Sequence, residues 1–239
     1  MRLLLITGIT ASAIPAGAGN AAPSADTPHS DFSEPKPARV ALVIGNAGYG
    51  QQSLRTPQAD ARALSQELAA LGFDVATLED ATQAGIRVAF DEFERRLRGA
   101  DLGLFYFAGH AVQLDGSALL LPVDTQIGSP ASLRGVDLHD IVARMSSGDS
   151  GRTSLILVDA CLTDPFADGR ASAAPPALVA TLPERTLVAF ASAPGGVAFD
   201  GADDQGVFTD ELLKLLPRAG LPLAEVFGRV QREVWQRTG

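Results

Sequence analysis

Four unbroken apolar runs constrain this chain more than any other feature: Val40-Ala41-Leu42-Val43-Ile44, Leu102 to Phe107, Leu155-Ile156-Leu157-Val158 and Leu187-Val188-Ala189-Phe190. A strand with one wet face alternates apolar and polar residues, so a run that is apolar at every position needs cover on both faces. Between and around these runs lie patterns of helical period. Pro57 opens one in which Ala61, Leu64, Leu68 and Leu71 recur, and Gly72 closes it. Thr82 is placed to cap another that reaches Arg98, with Ile86, Phe90, Phe93 and Leu97 on one face. A further strand is expected over Phe73 to Leu78, a hairpin at Val112–Leu114 and Ala118–Leu121, a short helix at Leu138 to Met145, and two last helices at Thr209 to Leu216 and Leu223 to Trp235. Repeated strand, helix, strand units predict an α/β fold, a mostly parallel central sheet with helices on both faces.

The 239 residues carry 19 basic and 28 acidic groups, a net charge of −9, and 46% are hydrophobic. Only two of the basic residues are lysines and no basic block stands out, which argues against a nucleic-acid partner. Met1-Arg2, the apolar run Leu3 to Ile9 and the small-residue pattern Ala16-Gly17-Ala18 have the grammar of a signal peptide over residues 1–18, too short for a stable membrane span. Export to a periplasmic or extracellular location is the expectation, against the alternative of a disordered leader. Residues 19–38, with Pro23, Pro28, Pro35 and Pro37, read as a linker, and residues 39–239 as one folded domain.

The single cysteine, Cys161, excludes an internal disulfide framework and a cysteine-cluster zinc site. Taken alone it reads as a small buried hydrophobe, and His110 alone as a satisfied core histidine. Together they mean more. Each follows the end of a core strand by three residues, and open parallel sheets bind ligands at the carboxyl ends of their strands. A thiol near its ordinary pKa is only slightly ionised at neutrality, so a cysteine nucleophile needs a nearby imidazole to take or balance its proton. Gly109 adds a backbone position open to close approach, and its N–H with that of Cys161 is a candidate oxyanion hole.

Tyr106-Phe107-Ala108-Gly109-His110-Ala111-Val112-Gln113 and Leu157-Val158-Asp159-Ala160-Cys161, with the histidine and cysteine 51 residues apart, resemble the two catalytic motifs of caspase-like cysteine peptidases. Caspases space this pair by about 50 residues. The chain resembles the bacterial, metacaspase-related (orthocaspase-type) branch. The likeness runs from Arg39–Asn46 through Asp60-Ala61, Leu121–Asp124 and Pro165-Phe166 to Ala191–Gly195, nearly the whole domain.

The resemblance implies a caspase-like three-layer sandwich and a peptidase with Cys161 as nucleophile and His110 as general base and acid. It further implies that Asp159 and Asp60 line the pocket for the side chain preceding the scissile bond. Two carboxylates there favour Arg or Lys, so the expected partner is a protein or peptide substrate with such a residue. The plainer readings are a strand-end acid that caps a loop for Asp159 and an exposed helix charge for Asp60. Ser192 and Ala193 are candidates for another pocket wall. Arg170, in a small polar stretch after the nucleophile, is a candidate self-cleavage site.

Two positions depart from the family pattern: Ala111 stands where a glycine is common, and Leu162 where a polar or basic residue is common. With a C-terminus at which a last strand is expected to be missing and one sheet edge incomplete, they motivate the rival reading of a catalytically weak or inactive regulatory module. Gly148-Asp149-Ser150-Gly151 copies a serine-peptidase string, but that chemistry belongs to β-barrels, and a loop is expected. Gly45 to Gly50 lacks dinucleotide-loop spacing and reads as a substrate-side loop. His29 and His139 have no ligand company. No metal site or cofactor is predicted. Calcium dependence occurs among metacaspases, but Asp124, Asp137 and Asp140 are scattered acids without loop geometry. A monomer or weak dimer is expected.

Overall fold

The computed structural model describes residues 4–7, 38–114, 116–126, 133–148, 151–163, 176, 182–192, 204–217 and 222–238. Its strands are β1 (Leu4–Thr7), β2 (Arg39–Gly45), β3 (Asp74–Glu79), β4 (Leu102–Leu114), β5 (Ser117–Leu120), β6 (Val136–Asp137), β7 (Thr153–Thr163) and β8 (Thr186–Phe190). Its helices are α1 (Pro57–Ala70), α2 (Gln83–Leu97), α3 (Leu138–Ser146), α4 (Val207–Leu215) and α5 (Leu223–Thr238). The sheet order is β1-β8-β7-β4-β2-β3, with β5 hairpinned onto β4 and β6 beyond it. Every pairing among β2, β3, β4, β7 and β8 is parallel. This is the α/β architecture expected of a caspase-like chain.

The apolar runs are buried because alternate side chains enter different cores. Leu42, Ile44, Phe105, Phe107, Ile156, Val158, Val188 and Phe190 pack on α2 and α3, against residues that include Phe90, Phe93, Ile141 and Met145. Their neighbours Ala41, Val43, Leu104, Tyr106, Leu155, Leu157, Leu187 and Ala189 pack on α1, α4 and α5, against Leu64, Leu68, Phe208, Leu212, Phe227 and Val230. Three layers result.

Helix ends follow the local chemistry. Thr82 Oγ1 accepts from the Gly85 amide at 3.2 Å and starts α2. Gly72, at φ +85°, ends α1: its N–H bonds the Ala69 carbonyl while that of Phe73 bonds Leu68, the paired bonds of a glycine-terminated helix. At the other end, Gly45 lets α1 start against the tip of β2, since a Cβ there would lie 2.2 Å from the Pro57 carbonyl oxygen and 2.7 Å from Ala61 Cβ. That close approach carries Asp60 to the carboxyl edge of the sheet.

Two expectations need correction. β4 and β7 do not stop before the candidate residues; their pairing continues through Gly109↔Ala160, His110↔Cys161 and Ala111↔Leu162, so both residues stand in strands and not in loops. Ala111 therefore sits in regular strand, buried against the α2–α3 core, and its methyl is a packing contact instead of an obstruction. At the other margin, β1, which lies within the leader expected over residues 1–18, pairs antiparallel with the outer edge of β8 from Leu4↔Phe190 to Thr7↔Leu187. No helix among the described residues is long and apolar enough to cross a membrane.

Candidate active site

Because β4 and β7 are adjacent and parallel, their in-register pairing sets His110 directly opposite Cys161, about 4.8 Å away strand to strand. Both are half-buried. They share a cavity with Leu54, Thr56, Pro57, Asp60, Ala108, Gly109, Asp159 and Gly206. The structure thus gathers five sequence-predicted residues, Asp60, Gly109, His110, Asp159 and Cys161, into one concavity at the carboxyl end of the sheet.

His110 is held from the loop after β2. Its Nε2 lies 2.8 Å from the Gln52 carbonyl, at the end of a 3₁₀ turn over Gly50–Gln52. A carbonyl only accepts, so in the neutral ring Nε2 carries the proton and Nδ1 is the basic nitrogen. The Tyr49 ring stands 4.5 Å from the imidazole, centroid to centroid, and its hydroxyl accepts from the His110 amide at 3.1 Å.

The loop itself is pinned. Asn46, fully buried, donates to the Ala81 and Leu121 carbonyls at 3.3 Å each and accepts from the Ala81 amide at 2.8 Å. Asp80 accepts from the amides of Ala47 and Gly48 at 2.8 Å and from Gln58 Nε2 at 2.6 Å. A stretch expected only as a substrate-side loop is tied down at both of these side chains.

The two acids are set differently. Asp60, in the first turn of α1, is 1% exposed, and its Oδ1 accepts from the Gly206 amide at 2.9 Å. Asp159 Oδ2 accepts from the Thr209 hydroxyl at 2.9 Å and lies 3.3 Å from the Tyr106 hydroxyl, which is itself 2.7 Å from Thr209 Oγ1. Burial first, and then the charges of Asp159 and Asp60, push the Tyr106 phenol well above its ordinary range, so it remains a neutral donor. Asp60 is no exposed helix charge. Both carboxylates face the cavity across Gly206, which leaves the space between them open.

Other candidates lie elsewhere. Ser192 is buried outside the cavity lining, and its hydroxyl donates to the Ala160 carbonyl at 3.0 Å, bracing the strand before Cys161 from behind. The pocket-wall expectation for Ser192 is replaced by this bracing contact. Ala193, Arg170, Asp149, Ser150, His29 and the 8–18 part of the leader lie outside the described residues. Asp124 accepts from the Gln83 amide and Asp137 caps α3 through the His139 amide, local structural tasks for two of the scattered acids. Among the described residues, no group of three His, Cys, Asp or Glu side chains is placed to hold a metal ion.

Sequence reasoning missed Tyr49, the Gln52 carbonyl, Gly206 and Thr209. Tyr49 stood inside a loop already singled out, whereas Gly206 and Thr209 have no local pattern that marks them.

A half-buried thiol and an imidazole facing each other on neighbouring strands, beside an acidic recess on a three-layer α/β sheet, define the caspase-like class of protein. The caspase domain model matches residues 38–239, and the chain belongs to that family. It is also similar to the human mucosa-associated lymphoid tissue lymphoma translocation protein 1, 33% identical over 127 residues, and to its mouse homolog, 32% identical over 127 residues. Each match covers 52% of this chain but only 15% of the relative, so the likeness concerns one portion of a much longer protein.

Proposed function

We propose that this chain is a cysteine endopeptidase that cleaves proteins or peptides after Arg or Lys. The observation that carries the reading is the meeting of Cys161, His110, Asp60 and Asp159 at one cavity. The Cys161 thiol passes its proton to His110 Nδ1, and the thiolate sulfur forms a bond to the scissile carbonyl carbon. Receipt of the oxyanion by the amides of Gly109 and Cys161 would require the β4–β7 pairing to open at that point, since the register turns both of them into the ladder. Collapse breaks the C–N bond, the leaving amine takes the proton from the imidazolium, and a thioester remains. Water then attacks the thioester, giving its proton to His110; the thiol leaves with that proton and the acid product is released.

Selection comes from charge. Asp60 and Asp159 offer acceptor oxygens to a guanidinium, which meets carboxylates with paired N–H donors, while a Lys ammonium gains the charge but not the fork. An Asp side chain in the same recess would meet like charge. Self-cleavage after Arg170 and export of the processed chain, needing no cofactor, belong to the same reading.

The test is cleavage of an Arg-ended reporter peptide by the wild type, Cys161→Ala and His110→Ala. Loss of turnover in both variants, with unchanged melting, is expected. A Cys161→Ala protein that cleaves at the native rate would sink the reading, and a folded wild type that cleaves no peptide would turn it toward the regulatory module.

A further inference from the structure

We propose that Tyr49 is a positioning residue for the active-site histidine, its hydroxyl fixing the His110 main chain and its ring fixing the tilt of the imidazole. The inference rests on the Cys161–His110 reading above and adds to it the group that aims the base.

The hydroxyl closes a ring of three hydrogen bonds. It donates to the Leu121 carbonyl at 2.7 Å and accepts from the His110 amide at 3.1 Å, while the Leu121 amide donates to the His110 carbonyl at 2.9 Å. Both polar main-chain groups of His110 are thereby committed, one of them to a side chain from a different loop. The ring lies against the imidazole at an interplanar angle of 58°. Three residues on, the Gln52 carbonyl accepts a hydrogen bond from Nε2–H. One short segment therefore meets the histidine at its backbone, its ring and its Nε2.

A passive core aromatic would not need the oxygen. A phenylalanine fills the same space, but it would leave the His110 amide and the Leu121 carbonyl without this partner. The neighbouring sequence also makes room for the hydroxyl: a Cβ on Gly109 would lie 2.6 Å from it and 3.0 Å from Phe107 Cζ, so a side chain there would displace the phenol. Burial pushes the phenol far above its ordinary range, so it donates and accepts as a neutral group across the working pH of any peptidase. Asn46 and Asp80 hold the segment that presents it.

Tyr49→Phe removes one oxygen and keeps the ring. The primary readout is the rate at which iodoacetamide alkylates Cys161 as a function of pH, which needs no peptide and no acidic pocket. Wild-type Cys161 should react faster than free cysteine at neutral pH; in Tyr49→Phe that rate should fall about tenfold and the pH profile should be displaced. With an Arg-ended peptide, kcat should fall by a similar factor while KM stays within about twofold.

An unchanged alkylation profile and kcat in Tyr49→Phe would overturn the proposal while leaving the peptidase reading intact. A wild-type thiol that reacts no faster than free cysteine would remove the dyad, and the positioning role with it. Imidazole ¹⁵N spectra provide a second measurement, taken for Cys161→Ala with and without Tyr49→Phe. Altered His110 ring signals with a retained melting transition are expected, and superimposable His110 signals would again overturn the proposal.

Discussion

Asp60 Oδ2 and Asp159 Oδ2 converge on the same Cα: a methyl group placed on Gly206 would lie 3.1 Å from the first and 3.4 Å from the second. The gap between two carboxylates from a helix and a strand is thus kept open by a residue without a side chain. Gly206 has an ordinary extended backbone, φ −66° and ψ 146°, so alanine fits the main chain and intrudes only on the recess. Gly206→Ala should raise KM for an Arg-ended peptide by about tenfold, with melting unchanged within about 2 °C. Steady-state kinetics and a thermal melt on the same preparation check both halves.

The pocket acids are expected to be unequal in their structural cost. Asp60 is buried and bonded to the Gly206 amide, so Asp60→Asn should disturb the start of α4 as well as selectivity. Asp159 is half-exposed, and Thr209 and Tyr106 remain to hold an amide oxygen in its place. Asp159→Asn should lower kcat/KM for Arg peptides by about 10- to 100-fold with little change in melting temperature. An equal loss on Arg and on uncharged peptides would show that the acid does not read charge.

Arg152 supports the fold away from the site. It is buried, and its guanidinium donates to the Leu97, Met145 and Ser147 carbonyls at 2.9, 2.6 and 2.9 Å, satisfying the carboxyl ends of α2 and α3 together. Arg152→Met keeps much of the stem but takes one donor from each of these carbonyls, of which Leu97 keeps the Ala100 amide and Met145 the Ser154 hydroxyl, and it removes a cation from two helix ends. Chemical denaturation should show a loss of about 2–4 kcal/mol with the denaturant slope unchanged.

The tie between α4 and α5 depends on pH. Asp210 meets Lys214 at 2.9 Å and also Arg237; burial pulls its carboxyl up, but the hydrogen bonds and charges of these two cations outweigh it and hold the pKa below the ordinary 3.8. A carboxylate with a depressed folded pKa adds stability that is complete above its unfolded value and is lost as pH falls through the lower folded value. Asp210→Asn should therefore cost up to about 1 kcal/mol at neutral pH, and the difference from wild type should shrink as pH falls below the ordinary carboxylate value and vanish below the lowered folded one. Urea titrations of both proteins at a series of pH values measure this directly.

Much of this was legible because burial on both faces writes itself into the sequence. The runs at Val40, Leu102, Leu155 and Leu187 became β2, β4, β7 and β8, and the helical stripe of Ile86, Phe90, Phe93 and Leu97 became the buried face of α2. Asp60 also left a trace, since it stands one turn before Leu64 on the buried face of α1, where an acid needs a partner. The continuation of β4 and β7 through His110 and Cys161 was hidden because Gly109 signals a break, whereas the outcome depends on the partner strand. β6, only two residues long, exists through its pairing with β5 and has no periodicity of its own. Tyr49 sits in a loop, and Gly206 and Thr209 carry no sequence pattern that marks them, so their places at the site come from tertiary packing.

The most direct measurement compares kcat/KM on three fluorogenic peptides identical except for Arg, Lys or Asp before the scissile bond, using the wild type and Cys161→Ala. Efficient cleavage after Arg, weaker after Lys and none after Asp, all abolished by Cys161→Ala, is the predicted result. Cleavage after Asp, or Arg cleavage that survives loss of the thiol, would contradict the account.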